Sequence, residues 1–178
     1  LTTDEADMAT DDTETLTFTL GSDALESIAF GTDLTALVSD TNEVVGTDVV
    51  WTRTSDTVIT GTIGGQTAIT LTLTPNLTAG TASVKADIAD NFDSVLGNNG
   101  TNTLSLGSVS VVATDIDGDI ATGTVNVEVI DDVPTVNFTD AINNTTTPTV
   151  ATGTWSETIG ADNNSMTFSP PEQIINTS

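Results

Sequence analysis

Apolar and polar residues alternate with a period of two along most of this chain. Between Glu14 and Leu20, Leu16, Phe18 and Leu20 face one way and Thr15, Thr17 and Thr19 the other. Between Ala68 and Thr74, Ile69, Leu71 and Leu73 oppose Thr70, Thr72 and Thr74. Between Thr124 and Ile130, Val125, Val127 and Val129 oppose Thr124, Asn126 and Glu128. This period marks a half-buried strand, with one face on a core and one in water. The run from Leu104 to Thr114 changes phase: Leu104 and Leu106 are even, whereas Val109, Val111 and Ala113 are odd. Gly107 sits at the change, where a β-bulge would keep both halves facing the core. Further strands are expected at Glu26–Phe30, Val49–Arg53, Thr57–Gly61 and Thr81–Ala86. Gly64-Gly65 is expected to form a hairpin turn, and Thr32–Val38 one short helical turn.

At least eight short strands separated by turn signals predict an all-β protein. The expected architecture is an antiparallel β-sandwich, immunoglobulin-like or cadherin-like. Threonine is the commonest residue, 38 of 178, and adds to the β character. The Thr-x-Thr rows belong on the solvated faces, and Trp51, alternating with Val49, belongs to the core. A break falls at Asp131-Asp132-Val133-Pro134, because Pro134 cannot donate to a ladder and holds Val133 extended. Residues 1–133 therefore read as one sandwich lacking its first strand, and 134–178 as the incomplete opening of a second unit. Thr152–Phe168 can be laid on Thr2–Phe18 at an offset of 150, matching Thr2 with Thr152, Asp12 with Asp162 and Phe18 with Phe168. A repeat of that length, or chance similarity between two acidic turn–strand segments, accounts for the match. The 45 residues of the tail are too few for an independent core.

Charge narrows the function. There are 26 acidic residues, two basic ones (Arg53 and Lys85) and a net charge of -24. Nucleic-acid binding needs several phosphate-neutralising cations and is not expected. Attraction to an anionic membrane fails for the same reason, and no apolar run approaches the roughly 18 residues of a membrane span. With no His and no Cys, neither a neutral-pH acid–base group nor a thiolate is present. A carboxylate pair, as in a glycosidase, is the one catalytic chemistry left, and a non-enzymatic role is expected. One-sided charge in a compact fold calls for divalent cations.

The acidic signal is concentrated in Thr114-Asp115-Ile116-Asp117-Gly118-Asp119-Ile120, between two predicted strands. Asp115, Asp117 and Asp119 alternate, so an extended backbone turns their carboxylates to one side, and Gly118 permits a sharp turn. Hard oxygen ligands on a flexible loop suit Ca2+ better than Mg2+. An EF-hand does not fit: the twelfth position from Asp115 is Asn126, and the flanks are strands. Asp131 and Asp132 form a second candidate pair. The strand between the two groups spans roughly 30 Å at about 3.3 Å per residue, so they lie at opposite poles and cannot share an ion. The N-terminal run holds a further set of acids, Asp4, Glu5, Asp7, Asp11 and Asp12, and the 115–119 loop is expected to face the preceding connector, at or before the N-terminus. Asp131 and Asp132 are expected to face the corresponding loop of a following unit.

The stretch Val109–Val136, with its order strand, T-D-x-D-G-D, strand, D-D-x-P, resembles the end of a repeat in giant bacterial adhesins of the RTX type, exported by type I secretion. Leu16–Phe30 and Gly61–Thr74 match more loosely, and the glycine-rich nonapeptides of the RTX β-roll do not occur here. The resemblance implies an extender or tip-proximal repeat, secreted to the bacterial cell surface. It implies tandem sandwiches with Ca2+ at their joints, holding a ligand-binding tip away from the cell to support adhesion and biofilm formation. Its partners would be neighbouring repeats of the same chain, and the unit itself a monomer. The competing expectation is a module that itself contacts a surface glycan, a protein or peptide, or ice, through the threonine rows or Trp51 and Trp155.

Overall fold

The computed structural model describes residues 1–19, 21–38, 48–89, 102–131, 135–139 and 154–158. The alternating segments fold as β1 (Thr2–Asp4), β2 (Asp12–Thr17), β3 (Leu25–Phe30), β4 (Val50–Ser55), β5 (Val58–Ile63) and β6 (Gln66–Asn76). They continue as β7 (Thr81–Ile88), β8 (Asn102–Asp115), β9 (Ile120–Asp131), β10 (Thr135–Thr139) and β11 (Thr154–Thr158). A 3-10 turn, Glu5–Asp7, is capped by the Asp4 carboxylate, which accepts from the Ala6 N–H at 2.9 Å.

One sheet has the order β1-β9-β8-β3 and the other β2-β7-β6-β5-β4. The chain crosses between them at β1–β2, β2–β3, β3–β4 and β7–β8, so the two sheets cannot separate without breaking connections. Their inner faces supply one core. Leu71, Val84 and Ile59 from the larger sheet meet Leu106, Val111 and Val127 from the smaller, all without solvent exposure. The fold is an all-β sandwich of two sheets whose strand pairs are antiparallel except for β1 with β9. The threonine rows lie on its outer faces: Thr15 pairs across to Ser83, and Ser83 to Thr74. Trp51 packs against the core and donates its Nε1–H to the Val38 carbonyl at 2.9 Å.

The expected bulge is present. Pairing of β8 with β9 shifts register between Ser105 and Ser108, and Gly107 takes φ +86°. Gly64 and Gly65 both have positive φ and close the β5–β6 hairpin. Residues 32–38, expected as a helical turn, are instead an irregular strap along the edge of β8. Asp33 accepts from the Thr35 N–H at 2.9 Å, Leu37 bridges Gly107, and Val38 N–H donates to Leu106 O at 3.0 Å. β3 ends at Phe30, opposite Val111, so the backbone of β8 around Gly107 has no β3 partner, and satisfying it outweighs the local helical preference.

β10 and β11 pair antiparallel as a two-stranded sheet, from Thr135↔Thr158 to Thr139↔Thr154. Most of the segment Thr152–Phe168 that was matched to Thr2–Phe18 lies outside the described residues.

Direction matters for the site. β1 runs parallel to β9, with Thr2 opposite Glu128 and Asp4 opposite Ile130. It therefore heads for the end of β9 that carries Asp131, not for the β8–β9 tip. The acidic run Asp4–Asp12 accordingly lies toward the Asp131 pole.

Candidate metal centre

The antiparallel β8–β9 pairing ends at Thr114↔Ile120, leaving Asp115–Asp119 to make the tip. Its backbone closes on itself. Asp115 N–H donates to Asp119 O at 3.1 Å, and Gly118 N–H donates to Asp115 O at 3.2 Å. Asp119 N–H donates to the Asp115 carboxylate at 2.8 Å. Gly118 supplies the required φ of +93°, a conformation that side chains with Cβ disfavour.

A second loop reaches this tip. β3 pairs antiparallel with β8, with Leu25 opposite Asp115, so the β2–β3 connection arrives alongside. Ile116 N–H donates to Ala24 O at 3.1 Å and fixes the two loops together. That contact brings Asp23 to Asp115 and Asp117, and one carboxylate oxygen from each lies within 4.8 Å of the other two. A shallow cleft of about 180 Å3 beside them is lined by Phe18, Asp23, Leu25 and Asp119. Ile116 and Ile120 stand exposed at the rim.

The electrostatics are those of crowded anions. Asp117 is held above the usual carboxylate range because it hydrogen-bonds to Asp115 and is repelled by its charge. Asp115 is held below that range, first by the hydrogen bond from Asp117 and then by the backbone N–H groups of Asp119, Asp117 and Gly118. Neither basic side chain compensates. Arg53 pairs with Asp56 at 2.7 Å, and Lys85 with Asp11 at 2.8 Å and Asp87 at 3.6 Å.

Of the residues predicted from sequence, Asp115 and Asp117 enter the cluster. Asp119 does not join that group of carboxylates, and its backbone N–H instead orients Asp115. Asp131 ends β9 opposite Asn102, roughly 36 Å from Ile120 at about 3.3 Å per residue. Asp132 lies outside the described residues. Asp23 was missed, because its closeness to Asp115 depends on a pairing between segments about ninety positions apart in sequence. The one available signal was its place in a Gly21-Ser22-Asp23 turn just before a strand.

Three carboxylates from two loops are the kind of hard oxygen ligand that a divalent cation takes. Comparison with protein-family models, curated proteins and solved structures gave no match for this chain.

The raised Asp117 sets the sign of a pH effect. Its proton binds more tightly in the folded than in the unfolded chain. That proton therefore favours the fold at low pH, and the contribution is lost as pH rises through the raised value. Asp115 acts oppositely: its depressed value favours the fold above the unfolded carboxylate value and is lost as pH falls. A cation must displace the Asp117 proton. If a divalent cation binds here, the rise in melting temperature it brings should therefore shrink between pH 7 and about 4, near the ordinary Asp value. Thermal melts at matched ionic strength check this, and a gain independent of pH would contradict it.

Proposed function

We propose that this chain is a cation-stiffened structural repeat of a bacterial cell-surface adhesin, of the RTX-type class that Val109–Val136 resembles. The observation that supports this best is the convergence of Asp23, Asp115 and Asp117 at one pole of the sandwich, with no basic side chain to offset them. A bound divalent ion removes their repulsion and ties the β2–β3 loop to the β8–β9 tip. Calcium is the ion of choice, because the ligands are carboxylates on loops with room for water. The affinity expected of an extracellular module is weak, about 0.1–1 mM. Such a chain is loosely held where Ca2+ is scarce and tightens once exported. The unit is a non-catalytic, secreted spacer that works as a monomer within a row of similar repeats and supports adhesion and biofilm formation.

In this reading Asp131, at the far end of β9, and Asp132, next to it in sequence, carry the joint to the following repeat. The poles of adjoining repeats are both acidic, so the joint is flexible without the ion and straight with it. A tandem protein of two copies, measured by small-angle scattering, tests this. Its maximum dimension should grow and its flexibility fall on adding millimolar Ca2+. Replacing Asp131 and Asp132 by Asn in the first copy should cancel the straightening while each sandwich keeps its own Ca2+-dependent melt. Identical profiles with Ca2+ and with chelator would refute the spacer role.

A further inference from the structure

Seven Asn-x-Ser/Thr tripeptides, none with Pro in the middle, occur in the sequence, and two of them fall entirely within the described residues: Asn76-Leu77-Thr78 and Asn137-Phe138-Thr139. Their surroundings differ. Asn137 sits at the centre of β10, where every residue from Thr135 to Thr139 is paired with β11. Asn76 sits at the end of β6, which outruns its neighbour. β5 stops pairing at Val58↔Thr72, so from Thr74 onward β6 is bonded only to β7. Pro75, which lacks an N–H, is tolerated at this one-sided edge. Here β6 forms an open edge, backed by β7 and then β2, and Thr74 to Ala79 are all exposed.

The side chain of Asn76 is set for a specific presentation. Its Oδ1 accepts from the Ala79 N–H at 3.0 Å, which turns the chain and fixes the amide plane. No described bond engages its Nδ2, and Thr78 follows on the same open turn. This tripeptide is the acceptor sequence for N-linked glycosylation, a surface-loop modification of exported proteins. We propose that Asn76 is an N-glycosylation site. The Asn76 Nδ2 forms a bond to C1 of a sugar donated from a nucleotide- or lipid-diphosphate carrier. The C1–O bond to the diphosphate breaks, the diphosphate leaves with that electron pair, and a base of the transferase takes the amide proton. The glycan adds polar, uncharged bulk at the rim of the Phe18–Gly80 corner, where Phe18 N–H donates to Gly80 O at 2.8 Å.

The two basic residues make the test clean. Trypsin acting on the denatured chain cuts after Arg53 and Lys85, so Asn76 is carried on the fragment Thr54–Lys85, in which it is the only Asn. Mass spectrometry of the chain isolated from its producing cells should find this fragment heavier by one or more sugars. Thr78→Ser should retain the modification and Thr78→Val should abolish it, with unchanged Ca2+-dependent melting in both. A fragment found only at its unmodified mass overturns the proposal. So does a sugar that persists in Thr78→Val, because that would be hydroxyl-independent glycation. Neither outcome bears on the cation site, which is read separately from the melts.

Discussion

Asp117→Asn should remove most of the Ca2+-dependent gain in stability. For the unchanged chain, Ca2+ at about a hundredfold over its dissociation constant is worth about 2.7 kcal/mol. In a domain of this size that corresponds to a rise of about 5–15 °C in melting temperature. Asp117 contributes one of the three convergent carboxylates, and its loss leaves too few charges to dehydrate the ion. Asp23→Asn should behave alike, although it lies on another loop. Asp119→Asn should cost much less, because the group that Asp119 offers is a backbone N–H, which asparagine keeps. Asp131→Asn and Asp132→Asn should leave the single unit nearly unchanged. Calorimetric titration and melts with Ca2+ or chelator separate these cases. Loss of the response in Asp119→Asn but not in Asp117→Asn would mean that the wrong carboxylates have been grouped.

Gly107→Ala should destabilise the sandwich by about 3 kcal/mol or more, with or without Ca2+. Two costs add. A residue with Cβ at φ +86° pays about 1–2 kcal/mol for the left-handed conformation. The new Cβ would also be driven into the Ala36 carbonyl and close on Leu37 Cα at 3.0 Å. Relief requires the 32–38 strap to lift, which exposes buried Leu37 and breaks the bond from Ser108 N–H to Ala36 O. Gly65→Ala is the control. Its φ is +84°, but nothing lies within 4 Å of the added Cβ, so only the conformational cost of about 1–2 kcal/mol remains. Denaturant midpoints should show the first variant clearly below the second. Equal losses would mean that the strap yields freely.

Much of this architecture is legible in the residues themselves. The phase change around Gly107 could come only from an extra residue in a strand with a buried face, and Gly64-Gly65 could come only from a tight turn. Strand edges shifted by a few positions, as from Ala68–Thr74 to Gln66–Asn76, because ladder ends are set by partners and not by the residues themselves. The strap at 32–38 was read as a helical turn because its local composition permits one, and nothing local announces the open edge of β8 that it covers. The metal centre divides along the same line. Asp115 and Asp117 are neighbours in a motif, so their convergence is local. Asp23 joins them only through the β3–β8 pairing. The position of the N-terminal acids required knowing that β1 lies parallel to β9, a fact that periodicity does not encode.

That parallel pairing has a mechanical consequence. If residues 1 and 131 are drawn apart, as they would be in a tether under flow, β1 and β9 are dragged past one another along their length. Leu1 N–H to Asn126 O at 2.8 Å, Glu128 N–H to Leu1 O at 2.9 Å and the rest of the β1 ladder are then loaded together in shear. Antiparallel neighbours pulled at adjoining ends would unzip one bond at a time. Here the first rupture must break several bonds at once, so the short three-residue strand acts as the clasp that sets the force at which the unit yields.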